Sequence, residues 1–245
     1  MEIRVEEASL NAWPGLRQLL LDGWLLRFSR GYTKRANSVS PVYASTLPLA
    51  EKVALCEERF RADGLPCTFR LTSATAPEGL DALLDARGYR RVDPTLVLSR
   101  ELEDGGLPGE GDGVREAPLE AWLPLHTRLS GAPPERAATH HDILESIAAR
   151  RATFALAHGG DEVACGLGVL EGDLFGLFDL VTAPEWRHRG FGTRLVCGML
   201  AWARARGARS AYLQVTEANL TARRLYEKLG FTHLYDYWYR VQPPA

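Results

Sequence analysis

The chain has 245 residues, 46% of them hydrophobic and 24% charged, and carries a formal net charge of -2. That is enough material for one large core or two modest ones, and the near-neutral balance excludes bulk attraction to nucleic acid or to an anionic membrane. Cys56, Cys67, Cys165 and Cys197 lie far apart without paired spacing, so no metal, redox couple or disulfide framework is expected. Residues Met1 to Glu7 contain no basic region leading into an apolar core, and no later stretch stays apolar long enough to span a bilayer. Cytoplasmic residence is the resulting expectation.

In the first half, Trp24 to Phe28 and Arg30 to Ser38 alternate like a hairpin with basic and aromatic residues, a pattern that suits either an acceptor cleft or a half-exposed sheet. Thr68 to Thr72 reads as a strand, and Gly79 to Tyr89 as a helix closing on Gly88. Glu103 to Gly113 is polar and glycine-rich and reads as a linker. Two domains follow, residues 1–103 and 114–245, joined by residues 104–113.

The second half opens with a strand at Val114 to Glu116, a helix at Leu119 to Leu129 and another at Pro134 to Arg150. Three apolar runs, Thr153 to His158, Val163 to Leu170 and Leu174 to Thr182, are separated by Gly159-Gly160-Asp161 and Gly172-Asp173, as in an antiparallel meander. Arg187-His188-Arg189-Gly190-Phe191-Gly192 then leads into an amphipathic helix that Gly207 closes. The paired glycines let successive N–H groups turn toward one point, and the helix adds its positive end, so an anion is expected there. Ser210 to Val215 is a strand, Leu220 to Leu229 a helix and His233 to Val241 an aromatic strand.

The halves echo one another. Glu7-Ala8-Ser9-Leu10 followed by Trp13-Pro14 returns as Glu116-Ala117-Pro118-Leu119 followed by Trp122, and Gly88-Tyr89 matches Gly230-Phe231 when the preceding helices are superimposed.

Pro184, Arg187, Gly190, Gly192, Asn219, Ala222, Leu225, Tyr226, Gly230 and Phe231 together resemble the GCN5-related N-acetyltransferase superfamily over roughly Val114 to Val241. The resemblance implies an α/β fold with mixed, mostly antiparallel sheets flanked by helices, here as two acyl-CoA N-acyltransferase-like domains in tandem. It also implies acetyl-CoA as co-substrate and an amine as acceptor, attacked directly in a ternary complex. By that resemblance Leu180, Val181 and Thr182 hold the pantetheine arm. Arg187, His188, Arg189, Gly190, Phe191, Gly192 and Thr193 hold the pyrophosphate, with Arg194 adding charge. Asn219 either only caps its helix or also touches CoA.

The first half lacks this chemistry, because Ser38 to Ala50 has no glycine, Leu84 stands in the place of Tyr226, and Pro77 in that of Asn219. It reads as a copy that does not bind CoA. Tyr226 is either a core-edge aromatic or the group that donates a hydrogen bond to the leaving sulfur. Relatives that acetylate ribosomal-protein N-termini carry a glutamate base where this chain has Gln214, which cannot accept a proton. Asp179 is the best replacement, ahead of Glu217, although a strand-end carboxylate with no catalytic role is the alternative. Without a strong base, amines of low pKa are favoured: amino acids, peptide N-termini or small-molecule amines. His140-His141-Asp142 reads as a polar helix start. The rival reading is a CoA-binding sensor or scaffold that transfers nothing, and a homodimer is compatible with either.

Overall fold

The computed structural model describes residues 1–102 and 112–243; the linker assigned to residues 104–113 lies outside them except for its last two residues. Eleven strands form one sheet. In the first half, α1 (Glu2–Asn11) precedes a hairpin of β1 (Arg17–Leu21) and β2 (Trp24–Phe28), joined through Asp22 and Gly23, both at positive φ. This geometry gives the tight twist-matched turn of a two-residue hairpin. The alternating Arg30–Ser38 stretch is not the hairpin's second arm. It is a loop with a short 3-10 turn at Lys34–Ala36, pinned by the Asn37 side chain, whose oxygen accepts from the N–H groups of Ser29 (2.6 Å) and Gly31 (3.0 Å). An asparagine able to satisfy two loop amides outweighs alternation as a folding signal. Then come β3 (Val39–Pro41), α2 (Leu49–Ala62), β4 (Thr68–Thr72), α3 (Leu80–Ala86) and β5 (Arg90–Glu101).

The second half runs β6 (Val114–Glu116), α4 (Leu119–Ser130), α5 (Ala137–Glu145), β7 (Arg150–His158), β8 (Asp161–Glu171), β9 (Leu174–Thr182), α6 (Phe191–Arg204), β10 (Ser210–Thr216), α7 (Leu220–Lys228) and β11 (Thr232–Val241). The helix expected over Pro134 to Arg150 is shorter. A 3-10 turn built on Pro134 precedes it, and Arg150 already begins β7.

Strand order is β1-β2-β3-β4-β11-β5-β10-β9-β8-β7-β6. The last strand of each half is thus inserted beside the other half's strands: β11 lies between β4 and β5, and β5 lies between β11 and β10, all antiparallel to their neighbours. Neither half completes its own sheet. The junction is fixed in the interior by Glu6, which pairs with the fully buried Arg70 of β4 and accepts from the Tyr235 hydroxyl of β11 at 2.7 Å. Breaking such a buried pair from one side leaves an uncompensated charge, at a cost of about 3–5 kcal/mol.

Three apolar clusters flank the sheet. One gathers α1, α4 and α5 around Trp13, Trp122 and Ile143; a second holds α6 and α7 around Leu195, Met199 and Phe231; the third packs α2 and α3 on β2 and β4 around Val53, Phe60 and Leu84. No helix among the described residues is long and apolar enough to cross a membrane.

Candidate active site

The meander ends in a break that the backbone makes visible. β9 and β10 run parallel and paired from Leu174↔Ser210 to Leu177↔Leu213, and then part. Opposite the parting, Gly166 of β8 faces both Asp179 and Leu180, a bulge in which Asp179 adopts φ 46. A Cβ on Gly166 would come within 2.7 Å of the Leu180 side chain, so glycine is what admits the bulge. Beyond it, Val181 and Thr182 pair with Cys165 and Ala164 of β8 and, among the described residues, with no strand on the other side.

Next, Gly190 caps α6 in the left-handed region at φ 83, without any side-chain cap. Among the described residues no side chain caps the N–H groups of the first turn of this 14-residue helix. Gly192 serves a different purpose. A Cβ there would lie 3.2 Å from Leu225 and 3.5 Å from the Thr182 hydroxyl, so its hydrogen leaves the floor of the cleft open.

A cleft of about 520 Å³ opens at this break. Leu180, Val181, Thr182, Arg187, His188, Gly192, Asn219 and Tyr226 line it, joined by Ser130, Leu195, Val196, Thr221, Ala222 and Leu225. Arg189, Gly190, Phe191 and Thr193 are not among its lining. The Phe191 ring is buried against Trp186 and His158, while Arg189 stacks on Trp186 and Arg194 reaches the Asp112 carbonyl at 2.6 Å. Of the turn's arginines, Arg187 faces the cleft, and its Nε donates to the Thr182 carbonyl at 3.2 Å.

Asn219 caps α7 by accepting from the Ala222 N–H at 3.1 Å, and its side chain also borders the cleft. Ala222 and Leu225 pack against the apolar cluster of α6 and α7 and border the cleft too. Tyr226 is 9% exposed, and its hydroxyl has no hydrogen-bond partner among the described residues. Burial pushes its phenol up to about 12, so at neutral pH it is a donor.

Asp179 turns away from Leu180 toward α5, where its carboxylate meets His140 Nε2 at 2.9 Å. Burial pushes the carboxyl up, yet the His140 hydrogen bond and the charges of His126, His140 and Arg35 outweigh it and hold it below its usual value. His140 was expected in a polar helix start. It is instead 3% exposed, ringed by Trp13, Tyr32, Trp122 and His126 at 5.0 to 6.0 Å between ring centres. Burial lowers the pKa of His126.

Gln214 is a strut. Its amide donates to Ser9 of α1 and accepts from the Tyr237 hydroxyl at 3.1 Å, so both polar ends are occupied. Glu217 is exposed beyond the end of β10, with its backbone N–H on the Pro94 carbonyl.

The family profile described as "Probable histone acetyltransferase Rv0428c C-terminal" matches residues 1–240, both halves within one unit. The "Uncharacterized N-acetyltransferase YobR" of Bacillus subtilis is 30% identical over 249 residues, covering 98% of each chain. The "Probable histone acetyltransferase Rv0428c" of Mycobacterium tuberculosis is 29% identical, covering 93% of this chain and 69% of its own. Among solved structures, a GCN5-related N-acetyltransferase from Kribbella flavida superposes with a TM-score of 0.76 at 18% identity, covering 99% of this chain and 96% of that one, which establishes the shared fold. The chain therefore belongs to the GCN5-related N-acetyltransferases and is an acyl-CoA-dependent N-acyltransferase.

Proposed function

We infer that the protein transfers the acetyl group of acetyl-CoA to the primary amine of a small molecule, amino acid or peptide, by direct attack within a ternary complex. One observation carries this reading: the unpaired edge of β9, the uncapped glycine turn of α6 and the unpartnered Tyr226 hydroxyl all converge on one cleft. The residues fit a CoA diphosphate and pantetheine arm. In this reading the first-turn amides of α6 and Arg187 receive the diphosphate, and the main chain of Leu180 to Thr182 receives the amide-bearing arm. The Phe191 ring contributes only by anchoring the turn.

Asp179 is well suited to an amine that has just attacked a carbonyl. A carboxylate held below its usual pKa is a weak base toward an ordinary ammonium, but the nitrogen of a tetrahedral adduct is far more acidic and gives up its proton readily. His140 is assigned the task of holding that carboxylate ionised and oriented. As the C–S bond breaks, Tyr226 donates a hydrogen bond to the departing sulfur; a phenol near 12 favours donation over full transfer. Much of the rate is assigned to orientation, which contributes up to roughly 7–11 kcal/mol when reactants are held aligned. The divided organisation, residues 1–103 as a copy that binds no CoA and 114–245 as the catalytic one, is part of the proposal.

The test is free-thiol release from acetyl-CoA with a panel of primary amines. Release that depends on the amine supports transfer, whereas acetyl-CoA binding without amine-dependent release would leave a sensor.

A further inference from the structure

A second cleft, about 420 Å³, is lined by both halves of the chain: Lys34, Arg35, Asp93, Arg136, Tyr237 and Tyr239 supply its polar character. Its charge is lopsided. Asp93 is its only carboxylate, and Lys34 takes it at 2.9 Å. Arg35 and Arg136 have no carboxylate partner among the described residues. Arg35 lies 4.5 Å over the Trp13 ring and 5.7 Å over that of Phe178, and Arg136 stacks 4.6 Å over Tyr32 while donating to the Tyr32 carbonyl. Flat aromatic supports hold a guanidinium in place while leaving its N–H edge available, the arrangement that suits planar, bidentate recognition of a carboxylate.

Neighbouring residues tie the second cleft to the first and to the His140–Asp179 pair. Thr216 borders the second cleft, and its carbonyl accepts from Asn219, which borders the first. Tyr32 of the second cleft stacks 5.5 Å from His140, the partner of Asp179, and Arg35 leans on Phe178, the residue before Asp179.

We propose that this second cleft binds the acceptor through its own carboxylate, so that the natural substrate class is a small zwitterion of the amino-acid type, with Arg35 and Arg136 gripping the carboxylate. This rests on the acetyl-transfer reading and sharpens it. The remaining polar lining, Tyr32, Thr33, Thr95 and Thr216, supplies neutral partners around the same space. Burial pushes Tyr32 up to about 12, so it too remains a donor.

The experiment compares thiol release from acetyl-CoA with two acceptor pools at equal, sub-saturating concentration: the standard amino acids and their carboxamides. The carboxamide amine is the less basic of each pair and reacts faster on amine chemistry alone, so a preference for the free acids reports the carboxylate contact. The expected result is release at least about tenfold faster with the amino acids, the share of one charge-assisted hydrogen bond. Arg35→Gln and the surface-exposed Arg136→Gln each bring that ratio toward one through a raised acceptor KM, while Arg59→Gln on α2 retains it. Equal or faster release with carboxamides, or a ratio that survives both substitutions, overturns the proposal. O-phosphoethanolamine outpacing both pools overturns it in favour of a phosphate. Calorimetry with acetyl-CoA on the same proteins separates the two levels: heat of binding with no carboxylate preference removes only this inference, whereas absence of heat removes the reading beneath it.

Discussion

Two strand–turn–helix units occupy related places in the sheet and meet anions in opposite ways. In the second half, β9 leads through Gly190 to the uncapped 14-residue helix α6; in the first, β3 leads to the 14-residue helix α2. Before α2, the Asp22 carboxylate from the β1–β2 turn accepts the N–H groups of Thr46 and Leu47, each at 2.9 Å, and the Thr46 hydroxyl at 2.9 Å. The fully buried Lys52 ammonium lies 3.2 Å from the same carboxylate. The first-half amides already hold an anion, tethered to the chain. A groove of about 580 Å³ persists beside them, but Pro48 and Pro77 line it, with Pro77 in the place of Asn219. Leu84, buried four residues before Gly88, stands as Tyr226 does before Gly230. In the first unit the Thr46 and Leu47 N–H donors are taken by a carboxylate of the chain.

The comparison can be broken at several points. The largest expected effect is Asp179→Asn, which retains a partner for His140 but cannot take a proton: kcat should fall by about 10²–10⁴ while acetyl-CoA affinity changes far less. Steady-state kinetics with calorimetry check this, and unchanged turnover removes Asp179 from the mechanism. Gly192→Val comes next, because its branched side chain meets Leu225 and Thr182 across the cleft. Overpacking of this kind should weaken acetyl-CoA binding by roughly tenfold to a hundredfold, and undiminished affinity would mean that the donor lies elsewhere.

Tyr226→Phe should lower kcat by about tenfold, the loss of one hydrogen bond, with little change in acetyl-CoA Kd. Because the phenol is pushed up to about 12, the wild-type pH–rate profile should show no alkaline fall from this residue below about pH 10. The smallest effect belongs to the first-half unit. Asp22→Asn should lower the melting midpoint by about 2–4 °C near neutral pH, without creating a second acetyl-CoA site. The Leu47 N–H, against the opposing effect of burial, and the Thr46 and Lys52 contacts hold the Asp22 carboxyl well below its usual range. Its contribution is therefore fully present above the unfolded carboxylate pKa near ~3.9 and is lost as pH falls through the folded value. The stability gap between wild type and variant should accordingly close in acid, and a gap that persists there would contradict the capping role.

Local signals explain what was legible in the chain. β4, β6 and β9 have the bounds their apolar runs predict, and Asn219 caps α7 as its position before Leu220 requires. The glycine turn is visible because its geometry depends on two glycines with one residue between them. What could not be read depends on long-range pairing. His140 and Asp179 are 39 residues apart, and nothing in either neighbourhood signals that a bulge opposite Gly166 turns one toward the other. The insertion of β11 between β4 and β5 was equally hidden, since an aromatic strand carries no record of its neighbours. The second cleft draws its arginines from a loop misread as a hairpin arm and from the turn before α5. Gln214 was read as a missing base; the contacts with Ser9 and Tyr237 show a residue employed to join the halves.

The central claim is that one unit accepts an external diphosphate and the other does not. Titration of the full chain with acetyl-CoA by calorimetry tests it most directly, with Asp22→Asn and Gly192→Val in parallel. The account predicts saturation at one molecule per chain, unchanged in stoichiometry by Asp22→Asn and weakened by Gly192→Val. Two molecules per chain, or binding indifferent to Gly192, would contradict it.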